Sequence, residues 1–396
     1  MRNQRSNNWT VKRLDEVATV TMGQSPPSSS YNSEGIGVPF FQGKPQNVDN
    51  LGVALPQQHT TEPTKVVTVG TALMTVRAPV GDIFTSPMDV CIGRGLGGVR
   101  AIEGVSQEYL NYHLQFSSQQ FHYLSQGSTF SAIKSSDLKG AQISIPELKV
   151  QQKIASILSS IDEDIQKTDQ IIQKTEKLKQ GLMSELLTKG IGHKKFKKTK
   201  LGEIPEEWEV VSVGQICECI VPGRNKPKFF DGEIPWITIP NIKSSRINYD
   251  NFTKYVSRQE LKRCGNKVIP INSVIMSCVG EFGIVSKTDR EIVINQQLHA
   301  FLPSEVIDSN FLMYSLINQK NYMENLATKT SVPYLNKTNC NSIPIAKPTI
   351  EEQRKIAQVF LEVDGKIGEE FNKKTKLELL KKGLMQDIFS QKVEVN

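Results

Sequence analysis

Apolar residues recur at helical spacing in two stretches of the chain. In the first, Ile154, Leu158, Ile161, Ile165 and Ile172 stand 4, 3, 4 and 7 residues apart, and Leu178, Leu182 and Leu186 continue the stripe. In the second, Ile356, Phe360, Val363 and Ile367 repeat the 4-3-4 step, and Leu377, Leu380, Leu384 and Ile388 close it. Lys, Glu, Asp and Gln fill the other faces, the pattern of an a/d seam with charged flanks. From Gln151 to Lys189 such a helix is about 57 Å long at 1.5 Å per residue. So narrow an apolar stripe needs a partner, and each stretch is the natural partner of the other. Two unrelated surface helices on two globular cores are the alternative, which the length, strict register and narrow stripe disfavour.

The two stretches are copies. Gln151-Gln-Lys-Ile-Ala155 answers Gln353-Arg-Lys-Ile-Ala357, and Gly181-Leu-Met183 answers Gly383-Leu-Met385, both at an offset of 202. Across 143–187 and 345–389, 15 of 45 positions are identical, where average composition gives about 3 by chance. The duplication extends to what precedes each helix. Trp9 to Leu14 answers Trp208 to Val213, Gly35-x-x-Val-Pro-Phe40 resembles Gly232-x-Ile-Pro-Trp236, and Ala72-Leu-Met74 answers Val274-Ile-Met276. The repeat is roughly 200 residues, a globular unit followed by a helix, written twice.

Within the globular parts, short apolar runs are broken by Gly, Pro, Asn and Ser: Val66 to Val69, Ala72 to Val76, Ile234 to Ile239, Val274 to Cys278 and Ile292 to Ile294. These are strand signals with turn punctuation. Helical stretches follow near Gln107 to Tyr123 and Ser309 to Leu326. The expected fold class is α+β: two homologous α/β domains, each followed by a long helix, the helices pairing as an antiparallel coiled coil. The expected boundaries are a first domain over 1–147, a helix over 148–190, a basic linker over 191–207, a second domain over 208–347 and a second helix over 348–396. His193 to Lys200 holds five lysines and reads as a solvated linker, with a DNA-backbone contact as the other reading.

A chain of 396 residues has room for two or three domains. The net charge of +7, from 48 basic and 41 acidic residues, permits an anionic partner without requiring one. The first nine residues are polar and carry no secretory signal, and no 18-residue apolar run predicts a membrane span. Six cysteines occur, and Cys217-x-Cys219 lacks the spacing of zinc or redox pairs. Reduced, buried cysteines in a cytoplasmic protein are expected.

Catalytic motifs are missing. Gly37 to Lys44 lacks Walker A spacing, with Pro45 where Ser or Thr should stand. Gly93-Arg-Gly-Leu-Gly-Gly98 matches the dinucleotide fingerprint literally, but no helix or acidic ribose partner follows, and the second copy reads Asn295-Gln-Gln-Leu-His-Ala300. A tight turn after a strand explains both. There is no His-Glu-x-x-His, no Gly-x-Ser-x-Gly, and no Asn- or Asp-Pro-Pro-aromatic motif, so no catalytic residue or metal ligand is assigned.

Two loop positions are candidate DNA-binding elements instead, polar and different between copies. One carries Gln24, Ser25 and Ser28, answered by Arg224, Asn225, Lys226 and Lys228; the other carries Ser128, Thr129 and Lys134, answered by Lys329, Thr330, Ser331 and Lys337. Lys44, Arg77, Arg94 and Lys243 are added as further cations. Lysine and arginine suit phosphates, while Gln, Asn, Ser, Thr and Arg read base edges. Ordinary surface loops are the plain alternative for each.

Assembled, the chain resembles the specificity subunit of type I restriction-modification systems. The resemblance rests on Pro-x-x-x-x-Gln-x-Lys/Arg-Ile-Ala at Pro146 to Ala155 and Pro348 to Ala357, the Lys/Gln-Gly-Leu-Met helix ends, and Leu201-Gly-Glu-Ile-Pro-Glu-Glu-Trp208. It implies two target-recognition domains, each reading half of a split, asymmetric DNA site, with the helices as a ruler between them. It implies no catalysis and no cofactor in this chain: S-adenosylmethionine would sit on two methyltransferase subunits, and ATP and magnesium on restriction-translocase subunits. Lys153, Lys174, Lys355 and Lys376 are expected at the methyltransferase interface. Gly-Gln-Ser-Pro-Pro at 23–27 stands where the family commonly has Gly-Thr-Pro, which implies a reshaped loop. A self-contained methyltransferase or nuclease and a coiled-coil scaffold without DNA specificity are the competing readings; the scaffold predicts no salt-dependent DNA affinity.

Overall fold

The computed structural model describes residues 9–49, 52–118, 120–121, 132–223, 225–243, 245–250 and 252–395. Ser128, Thr129, Arg224 and the side chain of Lys243 lie outside them. The chain divides into two units, Met1–Ile172 with Glu369–Asn396, and Gln173–Gly368. The division cuts both long helices, Leu148–Lys189 and Ile350–Phe389, so each unit owns one domain and a piece of each helix.

The two domains share a strand plan. In the first, Thr10–Arg13 pairs antiparallel with Gln142–Ile145. A four-stranded sheet runs Ala18–Met22, Leu96–Ala101, Ala72–Thr75, Ile83–Phe84, and a five-stranded sheet contains the parallel pair Val38–Phe41 and Val90–Ile92. In the second, Glu209–Ser212 pairs with Pro344–Lys347. Its four-stranded sheet runs Cys219–Ile220, Leu298–Phe301, Val274–Ser277, Val285–Lys287, and Ile234–Ile237 lies parallel to Val293–Ile294. The central strands, Ala72–Thr75 and Val274–Ser277, are buried at every residue, which explains why each is apolar but for one hydroxyl residue, Thr75 or Ser277. Val66–Val67 is shorter than expected, because Thr68 turns the chain through a backbone bond from Thr71.

Helix Gln107–Phe116 starts at Ser106, whose hydroxyl accepts from Tyr109 N–H, and Ser309–Asn318 starts at Asp308 in the same way. The stretch expected as one helix to Leu326 breaks at Gln319 into Ser309–Asn318 and Lys320–Leu326. The glycines of 93–98 divide between a turn, 93–95, and the strand Leu96–Ala101. A Cβ on Gly98 would stand 2.9 Å from Val67 Cγ1, so that glycine is a packing residue.

The Pro-x-x-x-x-Gln motif has a structural reason. Buried Gln151 donates to Pro146 O (2.8 Å) and accepts from Ser106 N–H (2.9 Å), tying the domain to the first turn of the long helix. Gln353 repeats this with Pro348 O and Asp308 N–H. The helices are antiparallel: Ile154, Ala155 and Leu158 share the first unit's core with Ile388 and Phe389. In the second unit, Met183 and Leu187 share a core with Ile356, Ala357 and Phe360.

The seam departs from the expected stripe near each Gly-Leu-Met. Leu178 and Leu380 are 56% and 51% exposed, while Lys179 and Lys381 turn inward onto Asp364 and Asp162. Met183 and Leu187 carry the burial expected of Leu182 and Leu186, which are half-buried. The 3.5-residue pattern alone does not distinguish these neighbours, because a seam read from apolar residues leaves out a lysine whose stem packs inward.

The stretch expected as a linker folds. Phe196–Thr199 pairs with Gly202–Pro205, Ile204 is fully buried and the lysines are exposed. Glu352 anchors it, accepting from Ile191 N–H (3.0 Å) and Trp208 Nε1 (3.1 Å) and meeting His193 Nε2 at 2.9 Å. Gly190, at φ 65°, is required there, since a Cβ would stand 2.5 Å from the Trp208 ring. All six cysteines are free thiols.

Each domain also buries a histidine. His113 Nε2 accepts from Ser144 N–H (3.2 Å), and burial holds the ring down to about 4; burial does the same to His299. The unfolded chain therefore binds protons that the folded chain refuses. Stability is full above pH 6.5 and falls as pH drops towards 4, by up to about 3 kcal/mol per histidine. Denaturant midpoints at pH 7 and 4.5 should show the loss, with a smaller loss in His113→Asn and His299→Asn; equal losses in the variants would refute the assignment.

Candidate nucleic-acid interface

The described parts of the candidate loops are tied to one rim in each domain. In the first, loop 23–28 lies on turn 93–95: Gly23 N–H donates to Leu96 O (2.8 Å), Gln24 N–H to Ile92 O (2.9 Å), and Arg94 N–H to Ser25 Oγ (3.2 Å). A Cβ on Gly23 would stand 2.1 Å from Gly93 O, so only glycine allows this approach. The rim continues through Val76 N–H to Gly95 O and Ile133 N–H to Val76 O, both 2.9 Å, which brings in Arg77 and Lys134.

The second domain builds the same rim 202 residues on. Cys278 N–H donates to Gln297 O and Leu335 N–H to Cys278 O, both 2.8 Å. Gln296, at the place of Arg94, donates from Nε2 to Gly223 O (2.8 Å) and so ties turn 295–297 to loop 221–228. Asn266 bridges that loop, accepting from Gly223 N–H and donating to Asn225 O, both 2.9 Å.

The expected residues have unequal freedom. Gln24, Ser28, Arg77, Arg94 and Lys134 are exposed on the first rim, whereas Ser25 is half-buried and its hydroxyl supports the turn. Lys44 is paired with Asp82 at 2.9 Å. On the second rim Asn225, Lys226, Lys228, Lys329, Thr330, Ser331 and Lys337 are exposed. Thr330 Oγ1 donates to Val332 O, shaping its own turn, and Lys337 opens the helix Lys337–Asn341. Arg77, Arg94, Lys134, Lys226, Lys228, Lys329 and Lys337 make no ion pair among the described residues, so their charge is available to an anion.

Several residues of the second rim were not singled out from sequence. Buried Glu260 accepts from Lys228 N–H (2.6 Å) and takes both arms of Arg263 (2.6 Å each), which with the backbone N–H groups hold its carboxyl down to about 2. Trp236 lies beneath Lys226 and Lys254, at 5.4 and 5.9 Å from its ring centre. Gln296 was detectable, since the 202 offset sets it opposite Arg94. Glu260 was not, because nothing in a run of charged helix residues marks one that folds inward. Among the described residues no group of three or more His, Cys, Asp or Glu is placed to hold a metal, and no helix is long and apolar enough to cross a membrane.

A family model described as the type I restriction modification DNA specificity domain matches the chain twice, over residues 6–177 and 205–380. A putative type I restriction enzyme MjaX specificity subunit of Methanocaldococcus jannaschii is 41% identical over 183 residues, 46% of this chain and 43% of that protein. The MjaVIII specificity subunit of the same organism is 28% identical over 299 residues, covering 72% and 70%. The match thus spans under half the length of the first relative and more than two thirds of the second. In fold, the chain is similar along its whole length (100% of this chain, 99% of the other) to the S subunit of a type I restriction-modification system from M. genitalium, with a TM-score of 0.62 at 16% identity. The two rims, the two long helices and the twofold match agree: this chain belongs to the type I restriction modification DNA specificity domain family.

Proposed function

We propose that the chain is the non-catalytic DNA-recognition subunit of a type I restriction-modification complex. Each rim reads one half of a bipartite DNA site, and the antiparallel helices set the gap between halves. The carrying observation is that the rims share a backbone frame, Val76–Gly95 and Ile133–Val76 answered by Cys278–Gln297 and Leu335–Cys278, and differ in their side chains, Arg94 against Gln296 above all. A common scaffold with unequal readers implies an asymmetric site, unlike the palindrome of a homodimer.

Methylation and cleavage belong on this reading to partners: two methyltransferase subunits with S-adenosylmethionine, and restriction subunits with ATP and magnesium. Each unit offers one surface of the same kind to a methyltransferase. Exposed Leu178 is followed one turn later by Gly181, and exposed Leu380 by Gly383, each glycine with open space where a Cβ would be. A leucine beside a bare helix backbone suits close approach of a partner helix. Lys153, Lys174, Lys355 and Lys376 are exposed on the same two helices and belong to that proposed interface.

The test is a map of methylated bases in cells carrying this chain with its methyltransferase, against cells lacking the chain. A split, asymmetric motif that vanishes with the chain is expected. An unchanged map with the two proteins associated would leave a protein scaffold without DNA specificity.

A further inference from the structure

Each unit holds a polar joint where its domain meets the two long helices. In the first, Tyr112 Oη donates to Asp162 Oδ2 (2.8 Å), and Lys381 Nζ lies 2.7 and 2.8 Å from the two carboxylate oxygens. In the second, Tyr314 Oη donates to Asp364 Oδ2 (2.7 Å), and Lys179 Nζ lies 2.6 Å from Asp364 Oδ1. The lysines also cover the tyrosine rings, at 5.2 and 5.3 Å from their centres. Every member has its counterpart 202 residues away, with the helices exchanging roles. The tyrosine comes from the domain, the aspartate from the helix after that domain, and the lysine from the other long helix.

Stability does not explain this arrangement. The Asp162 side chain is 5% exposed and that of Lys381 17%, so both charges are taken from water, and an apolar trio of similar volume would hold at least as well. Charge-assisted hydrogen bonds are instead short and directional, while apolar contacts allow a packed element to slide or tilt. Ordinary inheritance does not explain it either. The nearby pair Lys374–Asp169, at 2.5 Å in the first unit, has Ile172 and Phe371 at the corresponding positions. That ion pair exists in a single copy, while the joint stands complete in both.

We propose that Tyr112–Asp162–Lys381 and Tyr314–Asp364–Lys179 are positioning residues for target recognition. Each fixes the pitch of a recognition domain on the helix pair, and so restricts the spacer length that the complex accepts. This deepens the DNA-recognition reading above and rests on it.

Tyr112→Phe and Tyr314→Phe remove one hydroxyl each and keep the ring. The assembled methyltransferase complex is given duplexes with the cognate half-sites and spacers from two base pairs shorter to two longer. Each variant should lose about tenfold of its preference for the cognate spacer, the scale of one hydrogen bond to a charged group, with half-site letters unchanged and a larger loss in the double variant. If thermal melting shows either variant unfolded, Lys179→Arg and Lys381→Arg keep the charge, move the donor and give the same readout. An unaltered spacer preference in folded variants, or an equal loss at every spacer, overturns the joint while leaving recognition standing. A wild-type complex indifferent to half-site sequence overturns the recognition reading, and the joint with it.

Discussion

A chain lacking residues 170–173 and 370–373 is expected to direct methylation to a site whose half-site letters are unchanged and whose spacer is shorter. The deleted turns face each other, since Asp169 and Lys374, which flank them, are paired at 2.5 Å. Four residues per helix remove about 6 Å, close to two base pairs at about 3.4 Å each. The deletion leaves Ile154 and Leu158, and Met183 and Leu187, in their own cores, so each rim should keep its geometry. The residual rotation of about 40° at roughly 100° per residue changes the helical phase between the half-sites and is expected to lower activity. Methylation of the original site should vanish. Altered half-site letters would refute the ruler, and so would an unaltered gap.

The second large effect concerns charge. Arg77→Gln, Arg94→Gln and Lys134→Gln together should lower affinity for the target duplex by roughly two to three orders of magnitude at low salt. They should also reduce the slope of log affinity against log salt by about 3, near 0.9 for each phosphate no longer neutralised. Lys44→Gln should do less, because Asp82 already compensates that ammonium at 2.9 Å. If Arg94 reads a base edge, Arg94→Gln alone relaxes one half-site and spares the other. A triple variant with an unchanged salt slope would remove this rim from the DNA surface.

Much of this architecture is legible in the residues because the chain is written twice. A constant offset of 202 ties Gln151 to Gln353 and Tyr112 to Tyr314, so a feature found in one copy is checked in the other. Strand interiors such as Ala72–Thr75 read directly from their apolar runs. The inward turn of Lys179 and Lys381 is not legible, since a lysine beside a leucine at the seam gives no sign of which one faces the core. Nor is the hairpin at 196–205: five lysines signal solvent, and only the pair Ile204–Pro205 at its end carries its burial. The rims are partly legible. Polar, Gly-rich loops that differ between copies indicate where ligands bind, but joining loop 23–28 to turn 93–95 depends on backbone bonds between distant residues, which local patterns do not encode.

The composition of the first unit has a consequence for the order in which the molecule is made. Its core includes Ile388 and Phe389, and the Phe389 ring lies 5.7 Å from Tyr109 and 5.1 Å from His113. The second unit is one continuous stretch, Gln173–Gly368. On the ribosome, the domain synthesised first therefore waits for the end of the second long helix to cover its core, while the domain synthesised later has all its own residues sooner. Premature termination before Ile388 would strip apolar cover from the amino-terminal domain, leaving the carboxy-terminal one with its core intact.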